Sequence, residues 1–368
     1  MIKDLTILLL LKDGSPFTWR WMDYYNKIGL SCKVIIADGG KDTSVEKLAD
    51  TSLFPNIDYK YIRYPHDKDL TIFFQKTCDV LSRITTKYVL LASNDDFYVP
   101  ESLSTAIKFL NENNDYVVAR GDIYSFQIKP FGKEEEEEDV YGEMTSWVKL
   151  YTNKSNEAST ALERVRTSIE YSNSLWHDVC RTDTLRQCYT TLLESGILDL
   201  DLSERLINYL LASEGKVHRG EGLHMLHQSR QNGLGHLLIS RDPFEWILSE
   251  HWPRYVSKLF ELTAKKISEK DGGGTELIHY KVMQYFLCFV LGKKMIKERI
   301  EREIANMPGR MVRWGRIFSR NNKLRSAIKK IYVEVQDYFQ AKRSRQHILQ
   351  SPYYKDIKQV QDYLAKKY

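Results

Sequence analysis

Two adjacent carboxylates follow a short apolar run in the N-terminal half of the chain. The segment 87-KYVLLASNDDFYVP-100 places Asn94, Asp95 and Asp96 directly behind a predicted buried strand. Neighbouring carboxylates disfavour joint ionisation unless water or a cation lies between them. Mg²⁺ and Mn²⁺ prefer oxygen ligands, and they bind nucleoside diphosphates through one or two protein carboxylates. The doublet therefore indicates either a site for a metal and a diphosphate, or a solvated turn whose aspartate caps the next helix.

Two earlier turns carry residues of the same kind. Lys12 and Asp13 follow the run 5-LTILLLL-11, and Asp38 and Gly39 follow the run 33-KVIIA-37. Asp38 is well placed to accept hydrogen bonds from a base or a ribose, and glycine lets the backbone approach a ligand closely. Asp-Gly is also an ordinary turn pair. Since parallel strands present their carboxyl ends to a common crevice, we expect all three clusters to meet there.

The elements that would position these clusters alternate between short apolar runs and helical segments. The predicted strands are 5–11, 33–40, 59–65, 87–92 and 116–126, and the predicted helices are 17–28, 44–50, 70–84 and 100–111. This alternation predicts an α/β fold with a mainly parallel, doubly wound sheet. Most of 155–214 and everything after about residue 242 has a helical pattern, which 271-DGGGT-275 divides in two.

Length and composition favour two units in a protein of the cytoplasm. A chain of 368 residues is long for one core, so we predict a catalytic domain over 1–240 and a helical, basic region over 241–368. The run 6-TILLLL-11 is too short to span a bilayer, lacks a cleavage site and is interpreted as a buried strand. Five cysteines, scattered and odd in number, indicate reduced thiols.

The charge is distributed unevenly along the chain. Residues 293–368 contain 20 Lys/Arg and 7 Asp/Glu, a net charge of +13, whereas the rest of the chain carries −8. Within 310–345 the basic residues alternate with Trp314, Phe318 and other apolar side chains. This pattern is typical of a helix lying on an anionic membrane surface, here the inner face of the cytoplasmic membrane. It is equally typical of helices packed on the protein with their charges in solvent. No nucleic acid partner is expected.

Three segments resemble one family of enzymes. They are 5-LTILLLLKDGSP-16, 33-KVIIADGGKD-42 and 87-KYVLLASNDDFYVPESL-103. Together they resemble the N-terminal half of the GT-A glycosyltransferases of family 2. Within that family they are similar to a bacterial subgroup with a KDR-like first turn and an ADGG second turn. The resemblance covers roughly 5–110 well and 173–230 more loosely. It implies a GT-A fold and transfer of a sugar, most often from a UDP-sugar. The acceptor would be a hydroxyl of a saccharide or of a lipid-linked molecule in surface polysaccharide or glycoconjugate synthesis.

The resemblance also implies roles for residues of the strand-end clusters. Asp38 corresponds to the aspartate that binds the base, with Lys12, Asp13, Gly39 and Asn94 beside the nucleotide. Asp95 corresponds to the main ligand of Mn²⁺ or Mg²⁺. Ser93 stands where the family pattern has its first acid. Some GT-A enzymes supply a late histidine to the metal, which suggests His227 or His224, although such a histidine can also be a packed core residue.

Inverting members of this family use a carboxylate near a helix start as general base. Family spacing from Gly215 selects Glu204, and Asp201 lies one turn earlier on the same face. Asp199 fits another register, and helix capping is the alternative role for both aspartates.

The segment 173-NSLWHDVCR-181 lies where the family usually has its acceptor contacts. The resemblance therefore implies that Trp176, His177 and Asp178 line an acceptor pocket.

Two other classes of protein are considered. A nucleotidyltransferase would share the sheet and the carboxylates, but such enzymes usually have a longer glycine-rich loop than 12-KDGSP-16 after the first strand. A non-catalytic binding or scaffold protein would work through the basic tail. P-loop, dinucleotide-binding, HExxH and GxSxG motifs are absent from the sequence.

Overall fold

The computed structural model describes residues 2–130, 139–150, 154–171, 174–230, 249–250, 252–305 and 351–365. This part of the chain forms one nine-stranded sheet with helices on both faces. The strands are β1 (Leu5–Leu11), β2 (Lys33–Asp38), β3 (Asp58–Arg63), β4 (Tyr88–Ala92), β5 (Phe97–Tyr98), β6 (Tyr116–Lys129), β7 (Glu143–Leu150), β8 (Val179–Arg181) and β9 (Lys216–Gln228).

The helices follow the strands in βα order in the first part of the chain and then dominate the second. They are α1 (Ser15–Ile28), α2 (Leu70–Ser82), α3 (Pro100–Glu112), α4 (Ala161–Tyr171), α5 (Thr182–Ser195), α6 (Leu200–Glu214), α7 (Ser257–Asp271), α8 (Thr275–Ala305) and α9 (Tyr354–Leu364). Two short 3₁₀ turns, Ser44–Ala49 and Thr51–Leu53, lie between β2 and β3.

The strand order is β3-β2-β1-β4-β8-β6-β9-β5, with β7 paired to β6. Strands β1 to β4 are parallel to one another. The short β8 is antiparallel to both β4 and β6, so β6 and its parallel neighbour β9 run in the same direction as β1 to β4. The carboxyl ends of β1, β2, β4 and β9 therefore lie at the same edge of the sheet.

Both faces of the sheet are covered, which explains why β1 is a continuous apolar run rather than an alternating one. Ile7 and Leu9 belong to a core that includes Trp21 of α1 and Leu110 of α3. Leu8 points to the opposite core, which is shared with α2, α5, α6, α7 and α8. The period of two along the strand thus divides one apolar run between two cores.

The predicted α/β class is confirmed, and the described parts of the region after residue 250 are helical. The helix predicted over 44–50 is instead a 3₁₀ turn. Strands β5, β7, β8 and β9 were not predicted. Of these, β5 has two residues and β8 has three, which is too short to show periodicity. Because β7 and β8 are antiparallel to β6, and β5 is antiparallel to β9, the sheet is more mixed than the sequence pattern indicates.

The last described helix, α9, returns to the N-terminal part of the chain. Ile357, Val360 and Tyr363 are buried in the same core as β1 and α1. The backbone N–H of Gly142 donates to the carbonyl of Leu364 at 3.1 Å. The domain boundary near residue 240 stays a prediction, but α9 packs on the unit that lies before it.

No helix among the described residues is long and apolar enough to cross a membrane. The basic stretch 310–345 lies outside the described residues, so its contact with a membrane surface stays a prediction.

Candidate functional site

The three predicted clusters lie together at the carboxyl edge of the sheet, and hydrogen bonds link them. The backbone N–H of Lys41, just beyond β2, donates to Asp13 Oδ1 at 2.8 Å. Asn94 Nδ2 donates to the carbonyl of Gly14 at 3.0 Å and to Thr18 Oγ1 at 2.9 Å. Gly14 has φ +78°, which glycine adopts easily. Asn94 therefore joins the end of β4 to the turn after β1, while Lys12 and Asp13 are exposed.

Asp38 is buried and its carboxylate is fully engaged. It is 1% exposed. Its Oδ1 accepts from Gly40 N at 2.8 Å, and its Oδ2 accepts from Tyr61 OH at 2.7 Å and Arg63 Nη1 at 2.6 Å. The Arg63 side chain is 33% exposed and also donates to the carbonyl of Gly40 at 2.7 Å. The sequence analysis missed Arg63, whose partly exposed guanidinium pairs with the carboxylate that was predicted to bind the nucleotide base.

The glycine at position 39 has a packing explanation. A Cβ there would lie 2.5 Å from the carboxyl carbon of Asp67. Asp67 forms a buried ion pair with Lys76, whose Nζ also donates to the carbonyl of Leu11 at 2.7 Å. Burial raises the pKa of Asp67 and lowers that of Lys76, although each partner opposes the shift of the other. The turn after β2 is therefore held by an ion pair beneath it, and contact of Gly39 with a nucleotide stays a prediction.

One carboxylate and two imidazoles converge at the end of β4. Asp96 is 0% exposed, and its Oδ1 accepts from His227 Nδ1 at 2.9 Å and from Gln228 N at 3.1 Å. Its Oδ2 is buried, makes no hydrogen bond within the described chain and lies 3.8 Å from His177 Nδ1. Candidate ligand atoms of Asp96, His177 and His227 lie within 4.8 Å of one another. One oxygen and two imidazole nitrogens are a donor set suited to a divalent transition metal.

Burial and charge give the three groups different protonation states. Burial acts to lower the pKa of His227, but the charge and hydrogen bond of Asp96 outweigh it and raise the pKa to about 9. Burial lowers the pKa of His177 to about 4. Burial acts to raise the pKa of Asp96, but His227 and His177 outweigh it and the pKa is lowered. At neutral pH the cluster therefore holds an ionised Asp96, a protonated His227 and a neutral His177.

Asp95 lies beside this cluster rather than in it. Its carboxylate is 18% exposed, and Oδ2 lies 3.7 Å from Nη1 of Arg230. Burial, followed by the charge of Asp96, raises the pKa of Asp95 to about 6. The Arg230 guanidinium lies over the ring of Phe17 at 3.9 Å from its centroid. The sequence paired Asp95 with His227, whereas the structure pairs Asp96 with His227 and sets Asp95 against a cation.

The segment before β8 brings His177 to the cluster, but it turns Asp178 inward. Trp176 is half-buried and its ring is stacked with that of Phe73, with centroids 6.4 Å apart. The carboxylate of Asp178 is 0% exposed and pairs with Arg120 at 3.2 Å and Arg219 at 2.7 Å. The prediction that Asp178 lines an acceptor pocket therefore needs correction, because its charge is committed to two buried arginines.

His224 is fully buried, and it supports this segment instead of joining the cluster. Its Nε2 lies 2.9 Å from the carbonyl oxygen of His177, and burial lowers its pKa to about 4. His177 Nδ1 also lies 2.9 Å from the hydroxyl of Tyr98. The orientation of His177 is thus fixed from two sides.

Helix α6 ends at Glu214, and β9 begins two residues later at Lys216, so the last turn of α6 lies at the amino edge of the sheet. The first turns of α6 therefore lie toward the carboxyl edge. Asp199 caps the helix through Leu202 N at 3.1 Å, and Asp201 pairs with Arg205 at 3.2 Å. Glu204 is half-buried beside Ser174, and burial raises its pKa although the Ser174 hydrogen bond opposes the rise. Asp199 and Asp201 are thus held by a helix cap and an ion pair, and the role of Glu204 as general base stays a prediction.

Comparison with known proteins gave structural similarities only. No family model matches the sequence, and no curated protein matches it. The chain aligns with S. aureus TarS at 12% identity and TM-score 0.44, over 77% of this chain and 43% of that one. It therefore spans less than half of that TarS chain. S. aureus TarS 1–349 in complex with UDP-GlcNAc aligns at 12% identity and TM-score 0.43, over 77% of this chain and 72% of that one.

A mannosyltransferase, PcManGT from Pyrobaculum calidifontis in complex with GDP-Man and Mn²⁺, aligns at 8% identity and TM-score 0.43. The alignment covers 92% of this chain and 86% of that one.

Proposed function

We propose that this protein is a metal-dependent glycosyltransferase of the GT-A type. It transfers a sugar from a nucleotide-sugar donor, with UDP-sugars the first choice, to a hydroxyl of a saccharide or lipid-linked acceptor in bacterial surface polysaccharide or glycoconjugate synthesis. The observation that carries the proposal is the convergence of Asp95 and the Asp96–His177–His227 cluster at the edge where β1 and β2 also end. A crevice at such an edge is where open α/β sheets bind nucleotides.

The residues present fit a divalent cation, Mn²⁺ or Mg²⁺, with the two imidazoles favouring Mn²⁺. Asp96 would offer its buried Oδ2, which lacks a hydrogen-bond partner in the described chain. His177 is neutral near pH 7 and has a lone pair to give, and Asp95 lies next to the cluster in sequence. When bound, such a cation neutralises charge on a departing diphosphate. Arg230, which lies beside Asp95, and the exposed Lys12 would add positive charge to the surface that faces the diphosphate.

The donor would lie across the strand ends with its base toward β2 and β3. There Asp38 and Arg63 offer a carboxylate and a guanidinium already paired with each other. The diphosphate would then reach toward Asn94 and Asp95 at the end of β4, because β1 separates β2 from β4 in the sheet. Asp13, at the end of β1, lies between the two positions.

The acceptor would approach from the side of α6. Glu204 would take the proton of the acceptor hydroxyl, and an inverting displacement needs no other base. Its pKa, raised by burial, makes it a stronger base than an exposed glutamate. Trp176 offers a half-exposed flat surface of the kind on which the apolar face of a sugar packs. His177, which the resemblance placed in the acceptor pocket, is here proposed as a metal ligand instead.

Calorimetric titration of UDP with and without Mn²⁺ tests the proposal, together with hydrolysis of a panel of UDP- and GDP-sugars. We expect UDP binding to require Mn²⁺, and we expect Asp96→Asn to abolish both the Mn²⁺-dependent UDP binding and the hydrolysis while the fold persists. If the wild-type protein binds neither UDP nor GDP with Mn²⁺ present, the proposal is wrong. The non-catalytic scaffold alternative predicts that same negative result.

We place the reaction in the cytoplasm, since all five cysteines are free thiols in the structure. A contact of the basic tail with an anionic inner membrane surface is part of the proposal.

A further inference from the structure

Arg20 of α1 is a fully buried arginine at the base of the site. It is 1% exposed, and burial lowers its pKa to about 10. Its Nη1 donates to the carbonyl of Val140 at 2.6 Å and to Gln228 Oε1 at 2.8 Å, and its Nη2 donates to the carbonyl of Asp95 at 3.0 Å. All three acceptors are neutral oxygens, and they belong to three separate segments of the chain.

Burying a guanidinium at this position lowers the stability of the fold, so packing alone does not explain why Arg20 is there. Within the described residues no carboxylate oxygen lies within 4.0 Å of the Arg20 guanidinium. The charges of Asp95 and Asp139 therefore offset only part of the desolvation cost of burying it, and its pKa is lowered. The rings of Phe17 and Phe97 lie 5.0 and 4.9 Å from its central carbon. An apolar side chain would pack against these rings without that cost. The bonds that Arg20 makes therefore need another explanation than core packing.

Two of these bonds lead directly to the candidate site. The carbonyl of Asp95 is held by Nη2, which fixes the backbone at the end of β4. Gln228 is held by Nη1, and its own backbone N–H donates to Asp96 Oδ1 at 3.1 Å. The side-chain amide of Gln228 also donates to the carbonyl of Asp139 at 2.6 Å. One planar donor group thus sets the ends of β4 and β9 relative to each other, and His227 precedes Gln228.

The backbone of Arg20 is held in turn by the last helix. Tyr363 OH of α9 donates to the carbonyl of Arg20 at 3.0 Å and lies 2.8 Å from Asp23 Oδ2. Tyr363 is 6% exposed. The position of α1 at Arg20 therefore depends on a residue far along the chain.

We propose that Arg20 is a positioning residue which, supported by Tyr363, fixes the spacing between Asp95 and the Asp96–His227 pair. Lysine cannot replace it, because an ammonium on a flexible stem lacks the planar fork that reaches separate acceptors at once. The consequence for metal and nucleotide binding rests on the proposed function, whereas the consequence for the local backbone does not.

The test compares Arg20→Lys with a matched control, Arg164→Lys, in the full chain. Arg164 is also buried, at 7% exposure, and also donates to backbone carbonyls, of Ala212 at 2.7 Å and Ser213 at 3.0 Å. Those carbonyls lie near the end of α6, at the opposite edge of the sheet. Both variants lose bonds from a buried cation, but only one loses them beneath the site.

Hydrogen–deuterium exchange of peptides covering 93–98 and 226–230 reads the backbone, and titration with Mn²⁺ and then UDP reads binding. We expect Arg20→Lys to speed exchange in both peptides and to weaken Mn²⁺ binding by roughly tenfold, which corresponds to about 1.4 kcal/mol, because the strand ends that carry the ligands lose their shared donor. Arg164→Lys should leave both readouts within twofold of the wild type, even if it lowers Tm equally.

Unchanged exchange and unchanged Mn²⁺ affinity in a folded Arg20→Lys protein would overturn the inference. If that variant does not fold, Gln228→Met and Tyr363→Phe carry the same test with smaller changes, and normal exchange in both would again overturn it. If the wild-type protein binds no Mn²⁺ or UDP, the proposed function fails, and the exchange result still decides whether Arg20 positions the two strand ends.

Discussion

Binding of Mn²⁺ should release a proton from His227, and the affinity should therefore rise with pH. In the free protein the pKa of His227 is about 9, because Asp96 stabilises the imidazolium against the effect of burial. Nδ1 of His227 carries a proton in this imidazolium and lies 2.9 Å from Asp96 Oδ1. A cation that takes this nitrogen must displace the proton.

The size of the effect follows from the shifted pKa. At pH 7, about two pH units below the pKa of His227, displacing the proton weakens the apparent binding of Mn²⁺ by roughly 100-fold. The His227 side chain is 34% exposed and solvent screens its interaction with Asp96, so we take roughly tenfold as the lower bound of the effect. The apparent affinity should rise up to about tenfold per pH unit from pH 6.5 to 8.5 and level off near pH 9, where the free protein loses the same proton.

Calorimetric titration of Mn²⁺ in buffers with different ionisation enthalpies measures the proton count directly. We expect close to one proton released per ion at pH 7. His227→Gln should bind more weakly at pH 8.5 and should lose most of the pH dependence, whereas replacing the half-buried His66, which lies 3.0 Å from the carbonyl oxygen of Gly39, should change neither property. An affinity that is flat between pH 6.5 and 8.5, with no proton released, would refute a role for His227 as ligand.

Four further predictions concern other parts of the chain. Asp95→Asn should reduce transfer at least roughly 100-fold while Tm changes little, because its carboxylate lies at the surface end of a strand; near-normal turnover at saturating Mn²⁺ would contradict this. Glu204→Gln should lower kcat by roughly 10²–10⁴ and leave UDP affinity unchanged, with Asp201→Asn as the paired control. His224 has a pKa lowered to about 4 by burial, so its contribution to stability is complete above its unfolded pKa and is lost as pH falls toward 4. Denaturant unfolding should show that His224→Phe removes a loss of about 2 kcal/mol between pH 7 and pH 5. Flotation of the full chain with anionic but not neutral vesicles, abolished by high salt, is expected if 310–345 binds a membrane surface.

The sequence predicts those parts of the fold that are local. Strands β1, β2 and β4 are recognisable because each is a short apolar run ended by polar residues, and β3 is recognisable from its alternating pattern. The parallel order then brings Asp13, Asp38 and Asp95 to one edge. The cluster around Asp96 is not local, since His227 lies 131 positions away and reaches it only through the pairing of β9. No spacing rule indicates which of several histidines such a pairing selects.

Burial of charge is the other feature that the sequence did not reveal. The resemblance implied that Asp178 lines an acceptor pocket, but its carboxylate is buried and pairs with Arg120 and Arg219. The sequence analysis did not select Arg63 or Arg20 as site residues, because an arginine is normally solvated. Their roles depend on partners that only the folded chain assembles.

The return of α9 to the first strands affects when the protein can fold. The hydroxyl of Tyr363 contacts residues 343 and 340 positions earlier, so these contacts have a very high sequence separation. During synthesis, Ile357 and Leu364 are absent from the core around β1 until translation has reached residue 364. Until then the part of this core that α9 covers stays exposed, and an exposed apolar surface is prone to aggregation. The sheet can form early from its local βα units, but the edge that holds Asp95 and Asp96 reaches its final arrangement last, after translation has passed residue 364.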